Sequence, residues 1–283
     1  MSKKLLKNVA IITPLKDEKD NIPILVEKIS KQKHPIKYWV IVENGSTDGS
    51  KELLSKFKKI ENVENFIVLH FSLPTEKYEL GIKYATVVNQ GFQYIRKNNI
   101  IDELDFIGIL DADCFPGPTY YQDLIKFMEK DPQLGIASGL AYSLDGVYDG
   151  KSKNWVRGNC RLWKIECFRE AGYIIGPSAD ALSVCKAELK GWKAETLKEL
   201  SYQCREVGNK VNYAYYGYSA YFRGIPPMYA TIKIIKYFAI GQFKNAKGYC
   251  DGYFSSYFRK KERINDQDIL NYFSKSLRRK LNS

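Results

Sequence analysis

The sequence predicts an α/β fold built on a mostly parallel central sheet. Over residues 1–130, short apolar runs alternate with stretches whose apolar residues recur at helical spacing. Polar and acidic residues directly follow three of these apolar runs. Alternating strands and helices form right-handed βαβ units, and ligands bind such sheets beyond the carboxyl ends of the strands. We therefore expect these polar residues to meet at one edge of the sheet.

The individual elements can be assigned in order along the chain. The predicted strands, each a short apolar run, are residues 9–13, 38–42, 66–71, 106–110 and 134–142. The predicted helices are residues 22–29, 53–57, 84–96, 161–171 and 179–190, and the last two end at glycine. Asn21 is predicted to cap the first helix, and Pro23 fits the first turn of that helix.

Composition limits the possible classes of protein. The 283 residues carry 44 Lys and Arg against 32 Asp and Glu, a formal net charge of +12, which suits nucleic acid, an anionic membrane or phosphorylated substrates. No apolar run is long enough for a membrane-spanning helix, and no secretory signal is expected at the N-terminus. Because there are only two histidines, any metal would be held mainly by oxygen ligands.

The sharpest local motif is Asp111-Ala112-Asp113, which directly follows the fourth predicted strand. Two carboxylates one residue apart can share a divalent cation, and Mg²⁺ or Mn²⁺ prefers oxygen ligands and bridges to phosphate oxygens. Such a cation stabilises the charge that develops on a nucleoside-diphosphate leaving group. An Asp-rich turn is the alternative reading of the motif, and the neighbouring polar strand ends favour the metal site.

Three segments in this order resemble family 2 glycosyltransferases: AIITPLKDEKDNIPILVEKI, WVIVENGSTDGSKELL and ILDADCFPGPTYYQDLI. The resemblance implies the GT-A fold, which has a single nucleotide-binding Rossmann-like domain with a mostly parallel central sheet. It also implies an inverting, metal-dependent transfer of a sugar from a nucleotide-diphosphate sugar, with Mn²⁺ or Mg²⁺ as the cofactor. We expect UDP as the donor nucleotide, with GDP and dTDP as alternatives.

The resemblance also assigns the donor site. Nucleotide-sugar contacts fall on Thr13, Pro14, Glu18, Glu43, Asn44, Asp111 and Ala112. Asp113 would be the main metal ligand, with Asp111 beside the ribose and Gln203 as a weak further ligand, because Gln203 stands where relatives often carry a histidine. Glu43 and Asn44 stand where relatives carry paired aspartates, and the amide oxygen of Asn44 can accept a hydrogen bond from the base.

The second half of the chain continues the resemblance. SADALSVCKAELKGWKA matches the helix that carries the catalytic aspartate, so Asp180 would be the general base on the acceptor hydroxyl, although Ala179 replaces the usual preceding glutamate. Helix capping is the alternative role for Asp180. The residues predicted to contact the acceptor or its phosphate are Arg157, Arg161, Trp163 and Arg205.

The composition changes after residue 224, where a proline pair precedes a basic, aromatic tail. Residues 225–283 carry twelve Lys and Arg and four acids, so +8 of the net charge lies there. We predict a catalytic domain at 1–224, with a nucleotide-sugar half at 1–130 and an acceptor half at 131–224, and a C-terminal helical extension at 225–283. The segment 228–240 reads as a helix that either lies on an anionic membrane or packs on the domain.

These features predict a cytoplasmic enzyme, peripheral on the cytoplasmic membrane face, that acts on a glycan or lipid-linked acceptor and not on nucleic acid. A sugar nucleotidyltransferase is the second reading, but PLKDEKDN is not the Gly-rich basic loop such enzymes carry. A non-catalytic basic membrane- or nucleic-acid-binding protein is the third. That reading leaves the carboxylates at the strand ends unexplained.

Overall fold

The computed structural model of the chain describes residues 6–73, 80–150, 152–205 and 213–275. Its strands are β1 Val9–Leu15, β2 Ile36–Glu43, β3 Val63–His70, β4 Phe106–Leu110, β5 Cys114–Pro116, β6 Leu134–Ser143, β7 Cys160–Lys164 and β8 Lys193–Cys204. Its helices are α1 Asn21–Ser30, α2 Ser50–Leu54, α3 Leu80–Lys97, α4 Tyr120–Lys130, α5 Ile165–Ala171, α6 Ala179–Leu189, α7 Tyr213–Phe222, α8 Pro227–Ala239, α9 Phe243–Phe258 and α10 Gln267–Ser274.

The eight described strands form one sheet in the order β3-β2-β1-β4-β7-β6-β8-β5. The first four strands of this order are parallel, and Leu15 at the end of β1 pairs with Glu43 at the end of β2. β1 also pairs with β4, so the segments after all three strands leave from the same edge of the sheet. This confirms the predicted mostly parallel α/β sheet and the convergence of its polar strand ends.

The predicted helix over 161–171 is wrong in its first half. Residues 160–164 form β7, which lies antiparallel between β4 and β6, and the helix begins only at Ile165. Tertiary packing decides this outcome, because the side chains of Leu162 and Trp163 are fully buried in the strand. The predicted cap of the first helix is also wrong: Asn21 is the first helical residue, and its side-chain amide donates to Glu18.

The short strand β5 connects the end of β4 to the far side of the sheet. β5 pairs antiparallel with the end of β8, where Cys114 faces Cys204 across the ladder. The backbone N–H of Arg205 donates to the carbonyl of Asp113 at 3.2 Å. This pairing fixes Arg205 beside the Asp111–Asp113 motif, although the two segments are about ninety residues apart in the chain.

Helix α3 packs closely on the parallel half of the sheet. Gly91 allows this approach, because a Cβ there would lie 2.4 Å from Cγ2 of Ile12 and 3.2 Å from Cγ2 of Val42. The start of α3 thereby lies over the end of β4, where Tyr84 contacts Asp111. Packing at one glycine thus determines the position of a residue at the site.

The chain divides into two compact units. The first comprises residues up to Ile175 together with 186–205, and the second comprises Gly176–Cys185 and the described helices from Tyr213 onward. The predicted boundary at 224/225 therefore lies inside the second unit. The predicted helix over 228–240 corresponds to α8, and none of the described helices is long and apolar enough to cross a membrane.

Within the second unit, α7 and α9 cross at two glycines. A Cβ on Gly252 would lie 1.9 Å from the carbonyl oxygen of Ala214, and a Cβ on Gly217 would lie 2.2 Å from that of Tyr249. The two helix backbones therefore touch directly, and the aromatic side chains pack around this contact.

We expect Gly252→Ala to lower the free energy of unfolding by about 2 kcal/mol, because the added methyl must push two backbones apart. Urea unfolding followed by far-UV circular dichroism measures this change. Ser255→Ala is the control, since Ser255 is exposed on the same helix. Equal stability of the two variants would contradict the direct backbone contact.

Candidate active site

An ion-pair cluster connects the segments that follow β1, β4 and β8. The guanidinium Nη2 of Arg205 lies 2.5 Å from Oε1 of Glu18 and 3.1 Å from Oδ2 of Asp113. Burial lowers the pKa of Arg205, but the two carboxylates outweigh it and raise that pKa. Three residues predicted from separate motifs are thus in direct contact.

Asp111 occupies the more enclosed position of the motif. The hydroxyl of Tyr84 donates to Oδ1 of Asp111 at 2.6 Å. Burial, and then the charge of Asp113, raise the pKa of Asp111 well above its usual range. Two charged carboxylates repel one another in such a place, and a bound cation would favour their charged forms.

The residues present fit a hard divalent cation. Asp111 and Asp113 supply carboxylate oxygens, which Mg²⁺ and Mn²⁺ prefer, and these ions take their remaining ligands from water and substrate phosphate. In the described part of the chain no group of three or more His, Cys, Asp and Glu side chains is arranged to hold a metal. Two carboxylates leave most of the ligand positions of such a cation to water or to a bound anion.

Aspartate side chains hydrogen-bond the loop after β1 to the loop after β2. Oδ1 of Asp17 accepts from the backbone N–H of Thr47 at 2.7 Å, and Oδ2 of Asp48 accepts from that of Lys19 at 2.9 Å. Asp17 has a φ of 53°, in the left-handed region that asparagine and aspartate tolerate. These bonds hold the first two strand ends as one unit.

Glu43 and Asn44 sit in this joined region and are already hydrogen-bonded. Glu43 is buried, and its Oε1 accepts from the backbone N–H of Ser46 at 2.5 Å, while its Oε2 lies 3.3 Å from Nδ1 of His70. The amide oxygen of Asn44 accepts from the N–H of Leu73 at 3.1 Å. A carbonyl oxygen has two lone pairs, so the amide oxygen of Asn44 can accept one more hydrogen bond.

The other predicted donor contacts differ in exposure. Thr13 is fully buried, and its hydroxyl accepts from the indole N–H of Trp39 at 2.9 Å, so this side chain supports the sheet. Ala112 is also buried, whereas Pro14 is half-buried at the strand end. Among these three, Pro14 has the side chain with the most access to solvent.

The predicted acceptor residues do not form one exposed surface. Arg161 is buried, and its Nε donates to the carbonyl of Arg157 at 2.7 Å. Trp163 is fully buried beside Phe92, so its ring is part of the core. Arg157 pairs with Asp149, whose charge outweighs burial and raises the pKa of the guanidinium.

The side chain of Gln203 has partners other than Asp111 and Asp113. Its side-chain amide donates to the carbonyl of Leu144 at 3.3 Å. It also lines a cavity of about 360 Å³ together with Phe115, Tyr142 and Tyr202. This environment is aromatic and polar, and the carboxylates of Asp111 and Asp113 do not line it.

Asp180 belongs to the second unit, near the start of α6. It is half-buried there, and the groups that its charge affects include Arg223 and Tyr215. Burial lowers the pKa of Arg223, and the Asp180 carboxylate opposes that shift. The preceding Ser178 has a φ of 62°, and its hydroxyl lies 2.6 Å from that of Ser219.

Sequence reasoning missed three residues that position the site, namely Asp17, Tyr84 and Asp149, whereas Asp48 stands in a turn, Gly45-Ser46-Thr47-Asp48, whose residues are typical of caps. The two loop caps had a detectable signal, because Asp and Ser or Thr at turn positions commonly bond to nearby backbone N–H groups. Tyr84 bonds to Asp111, 27 residues further along the chain, and Asp149 bonds to Arg157, 8 residues further along. No local sequence pattern indicates either partner.

Residues 10–188 match the family model described as Glycosyl transferase family 2. Because the match covers more than half of the chain, the protein belongs to this family, and it is a glycosyltransferase.

Solved structures share the fold at low sequence identity. A 1–349 fragment of S. aureus TarS, in complex with UDP-GlcNAc, matches with a TM-score of 0.57 at 13% identity over 94% of this chain and 79% of that one. A second match is the mannosyltransferase PcManGT from Pyrobaculum calidifontis, in complex with GDP-Man and Mn²⁺, with a TM-score of 0.51 at 15% identity over 99% and 76%.

A longer TarS structure matches with a TM-score of 0.55 at 14% identity over 91% of this chain but only 44% of that one. The chain therefore spans less than half the length of that TarS chain. The three neighbours confirm the predicted GT-A fold.

We expect Tyr84→Phe to reduce kcat/KM for sugar transfer about tenfold, because Asp111 loses a partly buried hydrogen-bond donor at the site. Steady-state kinetics with a nucleotide-sugar donor measures the loss. Tyr94→Phe is the matched control: Tyr94 is half-buried on the same helix, and the change removes the same hydroxyl. Equal activity of both variants would show that Tyr84 does not position Asp111.

Proposed function

We propose that this family 2 member is an inverting, metal-dependent glycosyltransferase that uses a nucleotide-diphosphate sugar, with UDP as the expected nucleotide and GDP or dTDP as alternatives. The observation that carries the proposal is the contact of Arg205 with both Glu18 and Asp113, beside the half-buried Asp111. This cluster combines carboxylates for a cation with a guanidinium for phosphate at the edge where ligands bind α/β sheets.

The donor end of the proposed reaction relies on the first unit. Asp113, with Asp111, would hold Mn²⁺ or Mg²⁺, which when bound stabilises the negative charge on the leaving diphosphate. Arg205 adds a second positive charge there, and Glu18 keeps that side chain oriented. Asn44 would accept from the base, and Glu43 holds the turn at Ser46 in shape.

The acceptor end of the proposed reaction relies on Asp180 as the general base. Its carboxylate would take the proton from the acceptor oxygen as that oxygen attacks the anomeric carbon opposite the leaving diphosphate. The acceptor we propose is a hydroxyl or phosphate group on a glycan, a lipid-linked precursor or a surface polysaccharide precursor.

We further propose that the enzyme works as a peripheral protein on the cytoplasmic face of an anionic membrane. Support comes from the charge balance of the second unit, where residues 227–263 carry eight Lys and Arg and only two acids. Such a segment is attracted to anionic lipid surfaces and suits a lipid-linked acceptor.

Asp113→Asn is expected to abolish the thermal stabilisation that UDP-sugar and Mn²⁺ together give the protein, because one charge of the cation site is lost. Thermal-shift assays over UDP-, GDP- and dTDP-sugars, with and without Mn²⁺, test this and identify the nucleotide. Asp145→Asn, which changes an exposed aspartate, should bind as the wild type does. A metal-independent shift that persists in Asp113→Asn would remove the metal site.

Asp180→Asn should keep donor binding and reduce transfer by about 10²–10⁴-fold, as expected for loss of a general base. Transfer assays and thermal shifts with donor are measured on the same preparation. Asp251→Asn serves as the control, because Asp251 is exposed in the same unit. Transfer retained in Asp180→Asn would exclude this residue as the base.

A further inference from the structure

Helix α8 and the turn that follows it expose large apolar side chains. Met228, Ile232 and Ile235 recur at helical spacing along one line of α8. The α8 surface, as we call it, consists of residues that are each 46–65% exposed: Met228, Ile232, Ile235, Phe238, Ile240 and Phe243. The rings of Phe238 and Phe243 meet across the turn, 5.8 Å apart.

The opposite side of α8 packs against the rest of the second unit. Ala230 and Ile234 are buried there. Lys233 lies on that side too, with its ammonium 4.6 Å from the ring centre of Tyr249 and 5.8 Å from that of Tyr237. A helix that packs a lysine against its own unit and turns isoleucines outward has an apolar face available for another partner.

Positive charge surrounds the α8 surface. Lys236, Lys244 and Lys247 are exposed, and in the described part of the chain no acidic side chain forms an ion pair with any of the three. Asp251 is the single acid in the sequence between residues 227 and 258. The α8 surface is therefore apolar at its centre and has positive charge beside it.

We propose that the α8 surface docks onto an anionic lipid bilayer, with its apolar side chains at headgroup depth and the three lysines against lipid phosphates. This deepens the membrane part of the proposed function by identifying the surface that makes the contact. An amphipathic helix with a basic border binds at the interface plane in this way. With thirteen residues, α8 has a length that suits a helix lying along the membrane interface.

Charge favours the bilayer over a second copy of the chain. A symmetric contact through the α8 surface would bring the lysines of one copy towards those of the other, and like charges at an interface oppose association. An anionic bilayer supplies the opposite charge beside an apolar layer. A bilayer therefore complements both the lysines and the apolar side chains of the α8 surface.

Flotation with lipid vesicles tests the docking. The full chain is mixed with phosphatidylcholine vesicles that contain about one third phosphatidylglycerol, or with pure phosphatidylcholine vesicles. We expect the wild type to float with the first and to be released by high salt. The apolar variant is Ile232→Asp with Ile235→Asp, and the charge variant is Lys236→Glu with Lys244→Glu and Lys247→Glu.

Each variant has a matched control in the first unit. Leu144→Asp with Val147→Asp changes two similarly exposed apolar residues, and Lys56→Glu with Lys58→Glu and Lys59→Glu makes the same change of charge. We expect the charge variant to partition at least about 100-fold more weakly, from about fivefold for each lysine lost and further repulsion by the added glutamates, and the apolar variant to lose flotation. The controls should float like the wild type.

Wild-type flotation that neither α8 variant reduces would overturn the proposal, as would equal losses in the controls. Light scattering adds a further outcome: a dimer that only the apolar variant dissociates would assign the surface to self-association. Circular dichroism melting confirms that each variant is folded. The donor thermal shift should stay unchanged in all variants, so failure of docking is distinguishable from failure of the proposed enzyme activity.

Discussion

The arrangement of the site depends on how buried negative charge is compensated. The sheet brings carboxylates to one edge, and Asp111 is desolvated there beside Asp113. An uncompensated charge in such a place is costly. Arg205 compensates Asp113 and Glu18 by pairing with both, and Tyr84 favours the charged form of Asp111 by donating to it. The path of β8 and the close packing of α3 at Gly91 are what place these two compensating groups.

The parallel half of the fold was predictable because its signals are local. Each strand is a short buried apolar run, and each following loop carries residues typical of turns, so the pairing of β1 with β2 and β4 follows from known connection rules. The family motifs then indicated Glu18, Asp113 and Arg205, which the structure brings into contact. The role of Asp180 and the identity of the metal remain predictions.

The second half was predicted less well because packing there overrides local preference. Residues 161–164 have a composition that suits a helix, yet β4 and β6 leave a place between them that a strand fills. The same placement buries Trp163, so a residue expected at an acceptor surface lies in the core. Gln203 lines a cavity together with Tyr142 and Phe115, the residues that it pairs with in the two neighbouring strands.

The three-residue strand β5 has a consequence for how the site moves. It is an edge strand of the sheet and, among the described strands, pairs with β8 alone, whereas β4 pairs with both β1 and β7. Local opening is cheapest where few bonds hold a segment, so the amides near Asp113 should exchange with solvent sooner than those of β4. Asp111 thus follows a more rigid strand, β4, whereas Asp113 precedes a less rigid one, β5. For a ligand that contacts both carboxylates, part of the binding free energy would be offset by the cost of ordering β5. Asp111 would already be held in place before the ligand binds.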